Sequence, residues 1–182
     1  MRPPTTVRPA RPQEYPAIGE MTVTAYAAGG ALADGDTGYV EALRDAAKRA
    51  AEAQLLVAVD DATQELVGTV TVCRYETNWS EIARPDEAEI RMLAVAPQAW
   101  GQGVADLLVG HALSILRAEG IKRVVLVVLN GNDAALRLYQ RLGFRRAPER
   151  DWEPVPGLLL LAHERELAAV EANESQPRND RR

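Results

Sequence analysis

Apolar positions recur along this chain with two periods, and the switches between them mark out its elements. Thr5 to Arg8 is short and β-branched enough for a first strand. From Pro12 to Ala27 the side chains of Tyr15, Ile18, Met21 and Tyr26 return at helical spacing. Turn signals at Gly29-Gly30 and Asp34-Gly35 precede a second helical stretch, which runs from Thr37 to about Ala53 through Leu43, Ala46, Ala47 and Ala50. Its Glu41, Arg44, Asp45, Lys48 and Arg49 read as a solvated charged face. Gln54 to Val59 and Leu66 to Cys73 are β-rich, and the polar stretch Asp60 to Gln64 between them suits an antiparallel hairpin. After a long loop from Glu76 to Asp86, Glu87 to Ala96 forms the next strand, which Pro97 ends.

Helical spacing returns at Val104, Leu107, Leu108, Ala112, Ile115 and Leu116 and closes at Gly120, with His111 expected partly buried among them. Arg123 to Leu129 is a buried strand. Asn132 caps a short helix carrying Ala135, Leu138 and Leu142, Gly143 ends it, and Leu158 to His163 makes a late strand. The order βααββ, βαβα, β contains crossovers and a hairpin, so an α/β fold with a mixed sheet covered by helices is predicted.

Length and composition narrow the class. With 182 residues and 47% hydrophobic content the chain suits one domain, taken as residues 5 to 168, between a flexible N-terminus at 1 to 4 and a disordered polar tail at 169 to 182. One cysteine, Cys73, and two histidines offer neither a disulfide nor zinc spacing, so no metal is expected. Apolar runs fall far short of the roughly 20 residues of a membrane helix, and no signal-like apolar core follows Met1, so the expected location is the cytoplasm, with no membrane partner. A net charge of -5 argues against nucleic acid as a partner. A homodimer is the default assembly.

The stretch from Val95 to Asp106 hands a strand to a helix through Gly101 and Gly103. Glycine lets backbone approach a ligand, and the N-H groups at a helix start, aligned with its dipole, favour an anion. An ordinary Gly-rich turn explains the glycines equally well. A P-loop lysine is absent, and so is the third glycine of a dinucleotide fingerprint.

Joined to the segment from Asn132 to Phe144, the turn resembles motif A of the GNAT superfamily of acyl-CoA-dependent N-acetyltransferases. The family's Gln/Arg-x-x-Gly-x-Gly/Ala is read as Trp100-Gly101-Gln102-Gly103-Val104-Ala105, with the small positions on Gly103 and Ala105 and Trp100 in place of the leading Gln/Arg. Glu89 to Pro97 is similar to the family's fourth strand. Asn132, Ala135, Leu138-Tyr139 and Gly143-Phe144 match its Asn-x-x-Ala-x-x-Leu-Tyr-x-x-x-Gly-Phe pattern.

The resemblance implies a mostly antiparallel mixed sheet splayed between strands 4 and 5, with the pantetheine arm of acetyl-CoA in the gap. Leu93, Ala94 and Val95 would then bond pantetheine through main chain, and Trp100, Gly101, Gln102, Gly103, Val104 and Ala105 would hold the pyrophosphate. Asn132, Ala135 and Tyr139 would line the same arm. The implied reaction moves acetyl from acetyl-CoA to a primary amine of a small molecule or protein by direct attack in a ternary complex. Transfer of another acyl group, or a CoA-binding regulatory module without turnover, are the alternatives.

Acyl transfer to an amine needs a neutral nucleophile and a proton for the departing thiolate. A phenol, with a pKa of about 10, can protonate a thiolate whose acid form titrates near about 8.5. Tyr139 is the candidate acid, although its position alone suits a core residue. Glu89 on the fourth strand is the candidate base. Glu87 and Arg91 share its face by period-two alternation, so either carboxylate could serve, or neither. Cys73 reads as packing, while Met21, Tyr26 and Trp79 are candidates for the acceptor pocket.

Overall fold

A computed structural model describes residues 4–32 and 37–168. The Asp34-Gly35 turn, residues 1–3 of the expected flexible N-terminus and the tail at 169–182 lie outside the described residues. The strands are β1 (Thr5–Pro9), β2 (Gln54–Asp60), β3 (Leu66–Arg74), β4 (Glu87–Val95), β5 (Arg123–Leu129), β6 (Arg145–Arg146) and β7 (Leu160–Glu166). The helices are α1 (Tyr15–Ala28), α2 (Thr37–Arg44), α3 (Ala46–Glu52), α4 (Val104–Ala118) and α5 (Asp133–Arg141). The strands form one seven-stranded sheet in the order β1-β2-β3-β4-β5-β7-β6. Every neighbouring pair is antiparallel except β4 with β5.

Alternation along the central strands serves two cores. On β2, Leu56 and Ala58 join Val70 and Val72 of β3 and the α4 stripe Val104, Leu108, Ala112 and Leu116. The intervening Leu55, Val57 and Val59 face Ile18 of α1 and Ala46 of α3. Both faces are covered, so β2 and β3 read as continuous apolar runs.

Three expectations need correction. The single helix from Thr37 breaks at Asp45, whose carboxylate accepts a hydrogen bond from the Lys48 amide at 2.9 Å and so starts a new helix. The break also moves Arg49 off the solvated face. Its side chain is fully buried and donates to the Leu43 carbonyl at 2.8 Å and the hydroxyls of Thr71 and Thr22 at 3.2 and 3.4 Å, tying α3 to α1 and β3. Burial lowers its pKa from the ordinary guanidinium value. His111, expected partly buried, is exposed. The short β6 carried no signal, because its pair of arginines is recruited by β7 and by acidic partners such as Glu164.

The sheet parts in its middle. β4 and β5 pair through Glu87–Arg123, Ala88–Val124 and Glu89–Val125, and no further pairing joins them among the described residues. Each strand keeps its outer neighbour along its length, β4 with β3 and β5 with β7. A bulge helps turn β4 away: Thr71 faces Arg91 and Thr69 faces Ala94, leaving Met92 and Leu93 opposite Val70, with Met92 at φ 50.

The helical layer over this opening is held by a close approach. A Cβ added at Gly19 of α1 would strike the Arg44 carbonyl at the end of α2, a backbone atom that cannot swing aside. Gly19→Ala is expected to cost about 2 kcal/mol in urea unfolding. Gly110→Ala, in the middle of α4 where an added methyl meets nothing within 4 Å, should instead stabilise by about 1 kcal/mol through helix propensity. Equal midpoints for the two variants would contradict this packing.

Candidate active site

The gap between β4 and β5 opens into a cavity of about 1260 Å³. Leu93, Ala94 and Val95 of β4 line one wall, Val127, Val128 and Leu129 of β5 the other, and Asn132, Ala135 and Tyr139 of α5 close it. Trp100, Gly101, Gly103, Val104 and Ala105 line the end where α4 begins. The sequence-predicted CoA residues are thus brought together, apart from Gln102, which lies outside the lining.

The turn into α4 is built for backbone approach. Gly101 and Gly103 have φ of 75 and 74, in the left-handed region that favours glycine, and a side-chain cap is lacking at Gly103. The first amides of α4 are therefore offered to a ligand anion. These conformations also correct the motif register. The two positions that need small residues are Gly101 and Gly103, so the motif runs from Gln98 to Gly103 and its leading Gln is present. Trp100 is a variable position within it. Its indole donates to the Val95 carbonyl at 2.7 Å while the ring stays 49% exposed. Arg137 adds a cation to the lining, whereas Arg141 is held by Asp106 at 2.9 Å.

Tyr139 is buried in α5, edge-to-face with Phe144 at 5.6 Å and 71°. Burial raises its pKa above the ordinary phenol value, which keeps its proton in place across the neutral range. Asn132 caps α5 through a hydrogen bond from the Ala135 amide at 3.1 Å, so the cap and the cavity-lining role coincide in one residue.

The opposite end is aromatic. Tyr26 of α1 and Tyr39 of α2 meet edge-to-face at 6.1 Å and line the cavity with Trp79 and Trp152. Tyr26 and Trp79 fall where the sequence suggested. Met21 lies outside the lining, and Tyr39 and Trp152 carried no signal because nothing local distinguishes them from packing residues.

The charged row of β4 fastens the loop that forms this wall. Glu87 accepts from the Arg84 amide at 2.9 Å. Glu89 accepts through one oxygen from the amides of Glu81 and Ile82 at 2.7 and 2.9 Å and from the Ser80 hydroxyl at 3.4 Å. Arg91 donates to the Trp79 carbonyl at 2.7 Å and pairs with the Glu81 carboxylate at 2.8 Å. Period-two alternation thus sets three clasps in register along the loop. Glu89, the expected base, is fully buried, engaged with loop amides and outside the lining. Cys73 is buried as packing, and burial pushes its thiol up to about 12.

Comparison with known proteins agrees with this geometry. A family model described as "Acetyltransferase (GNAT) family" matches residues 21–144. The chain belongs to the GNAT acetyltransferase family. A curated relative, mycothiol acetyltransferase of Salinispora tropica, is 40% identical over 99 residues, 52% of this chain and 29% of the relative. The match therefore spans less than a third of that relative's length. A GNAT-family acetyltransferase from Staphylococcus aureus Mu50 superposes with a TM-score of 0.70 at 13% identity, covering 91% of this chain and all of that one. PaiA N-acetyltransferase of Thermoplasma acidophilum, solved with coenzyme A, superposes at 0.65 with 18% identity over 90% of this chain and 99% of that one. At these identities the structures show the shared fold.

Glu87 holds the closed end of the parted strands. The Arg150 guanidinium grips both its oxygens at 2.6 and 2.8 Å, both side chains being buried. Burial pushes its pKa up, but the bonds from Arg150 and the Arg84 amide, with the charges of Arg150 and Arg123, outweigh this and hold it below the ordinary value. A carboxylate depressed on folding stabilises above its unfolded pKa and loses that contribution as pH falls through the folded one. Glu87→Gln should therefore cost about 3 kcal/mol at pH 7 in urea unfolding, and the difference from wild type should shrink below about pH 4.5. A difference independent of pH would contradict the ion-pair account.

Proposed function

We propose that this protein is an acetyl-CoA-dependent N-acetyltransferase of the cytoplasm that acts on a primary amine by direct attack in a ternary complex. The observation that carries the reading is the parting of β4 from β5 after Glu89 and Val125, with the start of α4, where no side chain caps the helix, lining the same cavity. An amide-bearing arm finds there a strand edge without a β5 partner, its Val95 carbonyl already accepting from the Trp100 indole, and a diphosphate finds helix amides, with Arg137 near enough to line the same cavity. These residues fit acetyl-CoA, which when bound supplies an acetyl thioester. The relative's name supports a small-molecule acceptor.

The chain's own groups then do three things. Backbone of Leu93 to Val95 orients the donor, and the bulge at Met92 and Leu93 turns main chain toward the parted region, where an amide can stabilise the developing oxyanion. The apolar walls exclude water. The Tyr139 hydroxyl, protonated and lining the cavity, donates to the departing sulfur.

Tyr139→Phe is expected to lower kcat about 100-fold while leaving acetyl-CoA affinity within about twofold, read by CoA release and calorimetry. An unchanged kcat would remove Tyr139 from the reaction. A wild-type protein that neither binds acetyl-CoA nor releases CoA with a broad amine panel would overturn the function. Binding without turnover would identify a CoA-binding module.

A further inference from the structure

We propose that Glu81, in the β3–β4 loop, is the carboxylate that receives the acceptor ammonium and takes its proton, and that Glu89 is the positioning residue that sets it there. The inference rests on the N-acetyltransferase reading and assigns its acceptor end. Among the described residues the cavity lining holds two carboxylates and no histidine. Asp106 stands in the first turn of α4, at the phosphate end, with both its oxygens engaged by Arg141 at 2.9 Å. Glu81 stands at the other end, among Tyr26, Tyr39 and Trp79, with its side chain 31% exposed. Lys48 Nζ already lies 6.0 Å over the Trp79 ring and Arg91 holds one Glu81 oxygen at 2.8 Å, so the aromatic lining of Tyr26 and Tyr39 and the Glu81 carboxylate are what this end offers an entering ammonium.

Tyr26 there cannot serve as the base. Burial raises the pKa of Tyr26 and of Tyr139 above the ordinary phenol value, so both stay protonated. Glu81 differs. Burial lifts its pKa and Glu89 adds to the rise, while the Arg91 charge and hydrogen bond oppose it without cancelling it. The charged and titratable groups acting on it are Arg91 and Glu89 of β4, with Cys73 of β3 coupled more weakly. A carboxylate raised toward the working pH is a better proton acceptor than a free surface one.

Glu89 explains how Glu81 is aimed. One Glu89 oxygen accepts from the Glu81 and Ile82 amides, fixing the backbone from which the Glu81 side chain projects. Arg91 fixes the other end of that side chain at 2.8 Å.

The proton balance closes. The ammonium gives one proton to Glu81, which returns it to water, and the neutral amine attacks the acetyl carbon. The new carbon–nitrogen bond forms as the carbon–sulfur bond breaks. Tyr139 protonates the departing sulfur, and the nitrogen's second proton restores the phenol.

The test compares wild type, Glu81→Gln, Glu81→Asp and Glu89→Gln in full-length protein. Acetyl-CoA binding is read by calorimetry, and CoA release is read from pH 4 to 9 with a panel of phenethylamine, glucosamine, spermidine and amino-acid methyl esters. With the best amine, Glu81→Gln should lower kcat/KM about 100-fold and abolish its acidic limb, with acetyl-CoA affinity within about twofold. Glu81→Asp should recover part of the rate and the limb. Glu89→Gln should lower kcat/KM and move the limb to lower pH, since the Glu89 charge helps raise Glu81, without abolishing it, which a base at Glu89 would not allow. Wild-type turnover with an unaltered pH profile in Glu81→Gln overturns this assignment alone, as does loss of the limb in Glu89→Gln. Acetyl-CoA binding with no turnover of any panel amine also overturns it, because Glu81 then receives no ammonium. Absence of acetyl-CoA binding overturns the N-acetyltransferase reading itself.

Discussion

Three residues of parallel pairing between β4 and β5, and then none, set the terms for the rest of this molecule. A seven-stranded sheet would gain by closing that seam, since unpaired strand backbone in a protein interior is costly. Several features hold it open. The bulge at Met92 bends β4, the α4 stripe packs beneath β2 and β3, and β7 takes the whole length of β5 on its far side. The buried Glu87–Arg150 pair pins the end where the strands still touch. The opening is thus a built feature of the sheet, pinned at the end where the strands still pair.

The second organising device is the charged row on β4. Charges on a central strand are expensive to bury unless each is paired and hydrogen-bonded, and here each finds hydrogen bonds, although the second Glu89 oxygen has only Arg91, at 3.8 Å. Glu87, Glu89 and Arg91 meet Arg84, the Glu81 and Ile82 amides, and the Trp79 carbonyl in turn. The strand whose edge lines the parted region thereby also fixes the loop that forms the aromatic end of the cavity, so in the proposed reading donor and acceptor would be aligned through one β-strand.

Much of this was legible in residue order. The periodicity of β2, β3, β5 and α4 gave their positions because both faces of those elements are apolar or cleanly amphipathic. Gly101, Gly103 and Asn132 are legible because local chemistry constrains them: left-handed turns need glycine, and an N-cap needs a short polar side chain, whereas Tyr139 is legible only through the family resemblance, since its position alone suits a core residue. The failures share a cause, which is tertiary context. Arg49 looks solvated on a helical wheel, and only the break at Asp45 turns it inward. Glu81 is one acid among several polar loop residues until Glu89 and Arg91 hold it against the cavity. Glu89 itself was noticed for its strand position, yet its partners lie in a loop whose path no local pattern predicts. The motif register slipped by two residues because composition alone does not tell which small residues adopt positive φ.

Amide hydrogen exchange with and without saturating acetyl-CoA tests the open seam most directly. The account predicts slowed exchange at Leu93 to Val95 of β4 and at Gly101, Val104 and Ala105, with little change along β1 and β2. Bound ligand that leaves all of those amides unprotected, or protects a different edge of the sheet, would contradict it.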